Sequence, residues 1–98
     1  MEIEFEGRLF EWDDVKEQIN IQKHGVNFFD ATRVFQDEYR IEEYDEIHSD
    51  DEERWKIIGM VKGILVVICT ERRDVTRIIS AQPAIKSERR DYYGYCES

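Results

Sequence analysis

Lys23-His24, Glu53-Arg54, the Arg72-Arg73 pair and Arg77 are the residues of this 98-residue chain best suited to chemistry, with His48 as a second imidazole. They are cations and proton-transferring groups placed at the ends of the expected elements. Such a set suits metal-free RNA cleavage. That reaction needs a base for the 2′-OH proton, cations for charge growing on the phosphate, and an acid for the leaving 5′-oxygen. Arginine fits the cationic role because its planar fork meets two phosphate oxygens at once. No phosphate-cradling glycine loop, GxSxG, HExxH or EF-hand loop is present. Cys69 and Cys96 make neither a CxxC nor a Cys/His zinc spacing, and read as free thiols of a reducing compartment.

Each candidate also has a plainer reading. Lys23-His24-Gly25 is a good helix stop, with positive charge complementing the helix dipole. His48 before Ser49-Asp50-Asp51 fits an ordinary loop, and Arg72-Arg73 between Glu71 and Asp74 fits a solvated turn. Arg77 shares strand parity with Val75 and Ile79, so its cation is expected on the face those residues occupy. Arg54 and Lys56 share parity with Ile58 and Met60, as an edge would. Tyr92, Tyr93 and Tyr95 read as core contacts or a partner surface before a base-stacking platform.

The elements that must hold these residues follow from periodicity. Residues 2–12 alternate apolar and charged about Glu6-Gly7, which predicts a hairpin. Asp13 can cap a helix over about 14–23 whose apolar positions are Val15 and Ile19. Gly25 closes that helix, and Asn27 caps a second one carrying Phe28, Ala31, Val34 and Phe35. Arg40 to Tyr44 reads as an edge strand, and residues 45–53 as an exposed acidic loop. Three strands follow over 54–60, 64–70 and 75–81; the middle one, apolar on both faces, belongs at the centre of a sheet. Glu71 to Asp74 is the expected turn before the third. Pro83 suits the first turn of a final helix with Ile85, Arg89, Tyr92 and Tyr93 on one side. The pattern is that of one α+β domain spanning residues 1–98.

Charge narrows the function further. The chain holds 14 Lys+Arg and 23 Asp+Glu, a formal net charge of −9 that excludes a uniformly basic nucleic-acid coat. Residues 1–53 carry 5 basic and 18 acidic side chains, whereas residues 54–98 carry 9 and 5. The acidic stretch 37–53 is read as a solvated edge that deters aggregation, or as a surface that attracts a cationic partner. The run from Ile64 to Cys69 is too short to cross a bilayer, and Met1-Glu2-Ile3-Glu4 lacks a basic n-region. A cytoplasmic location is expected.

The ordered string resembles one family. It comprises Phe10-Glu11-Trp12-Asp13, Lys16, Asn20, Lys23-His24-Gly25-Val26, Phe28, Ala31 and Val34-Phe35 in the first half. His48-Ser49, Glu53-Arg54, Ile58-Gly59, Leu65-Val66-Val67, Thr70-Glu71-Arg72, Arg77 to Ala81, Glu88-Arg89 and Tyr92 or Tyr93 complete it. Over roughly residues 10–93 the chain resembles BrnT-type toxins, the ribonuclease half of a type II toxin–antitoxin pair.

The resemblance implies a RelE-like α+β fold, with an antiparallel sheet, N-terminal helices and a C-terminal helix. It implies cleavage of RNA that arrests translation, with no metal or other cofactor. It also implies neutralisation by a BrnA-type antitoxin whose DNA-binding domain represses the shared operon. Lys23, His24, Arg54, Arg72 and Arg77 carry over as candidate catalytic residues, with His48, Glu53, Ser80 and Gln82 around them. His24 suits proton transfer, Arg72 and Arg77 suit phosphate, and Lys23 and Arg54 suit orientation of the substrate. One position departs from the family, which has Arg where this chain has Gln82, followed by Pro83. That loss of charge opens a second reading, a weakened toxin homologue serving as antitoxin-binding module and co-repressor. A third, an unrelated enzyme acting on a small molecule, finds no motif in the sequence.

Overall fold

The computed structural model describes residues 1–47 and 49–97, and His48 therefore lies outside the described residues. The chain opens with strands β1 (Glu2–Phe5) and β2 (Arg8–Glu11), then helices α1 (Asp14–His24) and α2 (Phe28–Thr32), the latter running into a 3₁₀ turn over Arg33–Gln36. Strands β3 (Ile41–Tyr44), β4 (Trp55–Met60), β5 (Ile64–Arg72) and β6 (Val75–Pro83) follow, and helix α3 (Lys86–Glu97) ends it. The six strands form one sheet in the order β1-β2-β6-β5-β4-β3. Every junction is antiparallel except β2–β6, where Phe10 and Glu11 pair in parallel with Thr76 and Arg77.

Local chemistry accounts for most of the boundaries. Glu6 and Gly7 both take positive φ, as a two-residue hairpin turn requires. Asp13 accepts from the amides of Val15 and Lys16, and Gly25 ends α1 in the left-handed region with its N–H on the Ile21 carbonyl. The Asn27 side chain accepts from Asp30 N, while Glu17 of α1 accepts from Phe28 N at 2.8 Å and ties the two helices together. The turn between β5 and β6 is tighter than expected. Only Arg73 and Asp74 make it, both at positive φ, so Arg72 belongs to the strand.

The sheet has a core on each face. Phe28, Ala31, Val34 and Phe35 are buried against Phe10, Trp12, Ile57, Val67, Cys69 and Ile78. On the opposite face α3 covers Ile58, Ile64, Val66 and Ala84 with Tyr92. The 3₁₀ turn approaches β4 closely: a Cβ added to Gly59 would lie 3.0 Å from the Val34 Cβ and 3.1 Å from its carbonyl oxygen.

Two helical faces differ from the sequence reading. Val15 and Ile19 of α1 are 69% and 49% exposed, and the residue buried in their place is Asn20. Beyond Glu11, β6 has no strand on its β2 side, and Asn20 fills that gap. Its Nδ2 donates to the carbonyls of Ala81 (2.7 Å) and Val26 (2.9 Å), and its Oδ1 accepts from Ala81 N (3.1 Å). One side-chain amide thus completes both backbone groups of Ala81, as a neighbouring strand would.

The second difference is at Pro83. It does not open α3 but pairs with Leu65 at the end of β6, where its missing N–H costs no ladder bond. Helix α3 starts three residues later, with the Glu88 carboxylate accepting from Ile85 N at 2.8 Å. The buried side of α3 is then Glu88, Tyr92 and the half-buried Cys96, while Ile85 and Tyr93 are exposed.

Asn20→Ala is expected to lower the unfolding free energy by about 2–4 kcal/mol, because it strands buried backbone groups. Val15→Ser should change it by less than about 0.5 kcal/mol. Urea denaturation of both variants checks the contrast.

Candidate functional site around the β6 bulge

Strand β6 carries one residue too many. Ile68 opposes Ser80 but Cys69 opposes Ile78, which leaves Ile79 unpaired as a bulge. A bulge reverses the alternation of side chains beyond it. Ile78 and Ala81 therefore enter the same core although two residues separate them, where regular alternation would put them on opposite faces. Ser80 and Gln82 join Arg77 on the opposite face, and the parity that grouped Arg77 with Ile79 ends there. By register, Arg54 and Lys56 of the β4 edge and Ile68 of β5 share this second face.

Helix α3 covers only one end of that face. The uncovered part is a groove of about 370 Å³ lined by Arg54, Lys56, Ile68, Ile79, Ser80 and Gln82, with Glu88 on the α3 side. Over the rim of β6 lies a second depression of about 200 Å³, lined by Lys16, Ile19, Lys23, His24, Ile79 and Ser80. Ile79 and Ser80 belong to both. The bulge is thus the point at which the end of α1 meets the open sheet face.

The electrostatics of the groove are uneven. Arg54 Nε is shielded from solvent and has no hydrogen-bond partner among the described residues. Lys56 Nζ sits 2.7 Å from the nearly buried Glu88 carboxylate. Burial opposes ionisation of Glu88, but bonds from Lys56 and Ile85 N outweigh it and hold its pKa below the ordinary value. The same contact raises the pKa of Lys56, against its own desolvation. Asp45 also lines the groove, so Arg54 beside the Lys56–Glu88 pair is suited to receive one phosphate and unsuited to hold a long polyanion.

The remaining candidates fall elsewhere. Arg72 lies at the far end of β5, its Nε and Nη2 at 3.0 and 2.9 Å from the two carboxylate oxygens of Glu52. Arg77 faces Glu11 of β2, Nη1 to Oε1 at 3.6 Å. Both are on the groove's face of the sheet but line neither depression. Glu53 is exposed, and only its backbone is engaged, its carbonyl accepting from the Thr70 hydroxyl at 2.6 Å. Among the described residues, no three His, Cys, Asp or Glu side chains converge where they could hold a metal ion.

The two depressions, sharing Ile79 and Ser80, thus bring near one another Lys23, His24, Arg54, Ser80 and Gln82, which the sequence spreads across sixty positions. A family model described as the ribonuclease toxin, BrnT, of type II toxin–antitoxin systems matches residues 12–88. The chain belongs to this BrnT toxin family. The crystal structure of the Brucella abortus ribonuclease toxin BrnT is also similar, with 27% sequence identity and a TM-score of 0.60. That match covers 79% of this chain and 96% of the Brucella one. A search of curated proteins returns no significant match.

Three participants in the site were not singled out from sequence. Lys56 and Glu88 form the ion pair that closes one side of the groove, and Asn20 sets the end of α1 against β6. The signal for Lys56 was its parity with Arg54. Asp37, hidden within the acidic stretch, accepts from Tyr92 Oη and from Met60 N (2.8 Å) and so fastens α3. Burial opposes its ionisation, but the bonds from Tyr92, Met60 N and Tyr39 N prevail and lower its pKa. Burial, then the bond to Asp37, raises the pKa of Tyr92.

Asp37 and Glu88 both have folded pKa values below their ordinary values of 3.8 and 4.5. Their stabilising contribution is present above those values and is lost as pH falls through the lower folded ones. Thermal melts from about pH 7 down to about 2 should therefore show the midpoint dropping in the acid range. Asp37→Asn should lie below wild type at neutral pH and converge with it in acid.

Proposed function

We propose that this chain is a metal-independent endoribonuclease that cuts RNA at the β6 bulge, arrests translation, and is neutralised by a BrnA-type antitoxin. The observation that carries the reading is Arg54, whose Nε has no hydrogen-bond partner among the described residues, at a groove that meets the depression of Lys23 and His24 at Ile79 and Ser80. A scissile phosphate in the groove receives Arg54 and the neutral donors Ser80 and Gln82. His24 exchanges the proton of the 2′-OH or of the leaving oxygen, and Lys23 stabilises the charge between them. Arg72 and Arg77 continue the same face and meet flanking phosphates once their carboxylate partners yield. Glu53 remains a supporting candidate, and His48, outside the described residues, is one on sequence grounds alone.

The neutral Gln82 supports a second reading, in which the chain is a weakened toxin acting as antitoxin-binding module and operon co-repressor. A charge-assisted hydrogen bond contributes about 1.5–3 kcal/mol, which is roughly tenfold to a hundredfold in rate if realised only in the transition state.

Digestion of mixed RNA at low salt separates the two. Cleavage is expected to persist in EDTA, to fall steeply with added salt, and to vanish in His24→Ala. Arg54→Ala should lose about tenfold to a hundredfold and Gln82→Arg should gain by a similar factor. Intact RNA after incubation with folded wild-type protein would leave the binding-module reading standing.

A further inference from the structure

The whole net charge of −9 resides in residues 36–53, which hold ten carboxylates and one arginine; the other eighty residues carry thirteen charges of each sign. Strand β3 lies within that segment and forms one border of the sheet. Glu42 and Tyr44 of β3 oppose Ile57 and Trp55, so they face the side of the sheet away from the Arg54 groove. There, Phe35, Glu42, Trp55, Ile57 and Glu71 border a depression of about 250 Å³.

One end of this depression already holds a cation of the chain itself. The Arg8 guanidinium lies 4.3 Å from the centre of the Phe35 ring, with Nη2 2.9 Å from Glu71. The other end sets a carboxylate beside a partly exposed aromatic pair. Tyr44, 44% exposed, meets Trp55 edge-on at 5.4 Å, and Glu42 beside them engages only Arg40 among the described residues. At the floor, burial and then the charge of Glu71, with a further contribution from Glu42, push the Cys69 thiol up to about 12. Carboxylates beside exposed rings favour an arginine or lysine stacked on an aromatic ring.

We propose that the Glu42–Tyr44–Trp55 end of this depression docks a cationic segment of the antitoxin, on the face of the sheet opposite the RNA groove. The inference rests on the reading of this chain as a toxin with a protein antitoxin. Charge complementarity selects the occupant: the surrounding segment carries the full excess of negative charge, so a basic chain is drawn in and its arginine or lysine side chain seats between Glu42 and the two rings.

Surface plasmon resonance with the purified cognate antitoxin immobilised tests the assignment. Glu42→Lys is expected to weaken Kd at least tenfold, chiefly through the on-rate and with a flatter salt dependence. Tyr44→Ala is expected to weaken it comparably through the off-rate. Both variants should cleave RNA as wild type does. Hydrogen exchange of the wild-type complex should show protection in 41–44 and 55–57. Kd values within twofold of wild type for both variants, or protection confined to α1 and β6, would overturn the docking site while leaving the toxin reading intact. Failure of folded wild-type protein to bind the antitoxin would overturn both. Protection of 41–44 by self-association without antitoxin, measured against protein concentration, would assign the surface to a second copy and reject the proposal.

Discussion

Everything at the candidate site of this molecule depends on how the outer edge of β6 is satisfied once β2 has ended. A strand buried under a helix cannot leave its N–H and C=O without partners, because each unmade bond costs about 1–3 kcal/mol. Here Asn20 supplies both, and the same amide reaches the Val26 carbonyl just beyond the end of α1. The position of α1 is thereby fixed by backbone chemistry, while its apolar residues Val15 and Ile19 remain in solvent. The end of α1, with Lys23 and His24, comes to rest beside Ile79 and Ser80 as a consequence.

The two faces of the sheet are consequently different in character. One is packed by α2 and the 3₁₀ turn and ends, toward β3, in aromatic rings and carboxylates. The other is capped at one end by α3 and left open along Arg54, Ile68, Ser80 and Gln82. On the two proposals above, a small acidic protein addresses partners of different sign from opposite faces, since each local field acts over about a Debye length, roughly 8–10 Å at physiological salt. The bulk figure of −9 describes neither face.

Much of the fold was legible in the chain. The Glu6-Gly7 hairpin, the Asp13 and Gly25 ends of α1, the Asn27 cap and the central place of β5 all follow from local signals, and all are found. What was misread involves long-range competition. The apolar spacing of Val15 and Ile19 named the wrong face of α1, because an edge 61 residues away required an amide. Pro83 looked like a helix opener, but the pairing of β6 with β5 extends to it and delays α3 to Lys86. Of the candidate site, the ordered residues of the family string identified Lys23, His24, Arg54, Ser80 and Gln82, while the ion pairs that engage Arg72 and Arg77 could not be foreseen from either segment alone.

Residue types and their order were enough to establish an α+β chain, its family and the list of cations able to meet a phosphate, because caps, turns and motif residues act within a few positions of one another. Which of those cations share a surface was settled in three dimensions. Strand parity assigns Arg77 and Ile79 to one face and Ser80 to the other, and no local signal marks Ile79 as an extra residue. The bulge exists because β5 pairs with β6 in two registers, Ile68 with Ser80 and Cys69 with Ile78. That one-residue offset turns Ser80 and Gln82 toward Arg54, and it is a property of two strands meeting that neither strand encodes alone.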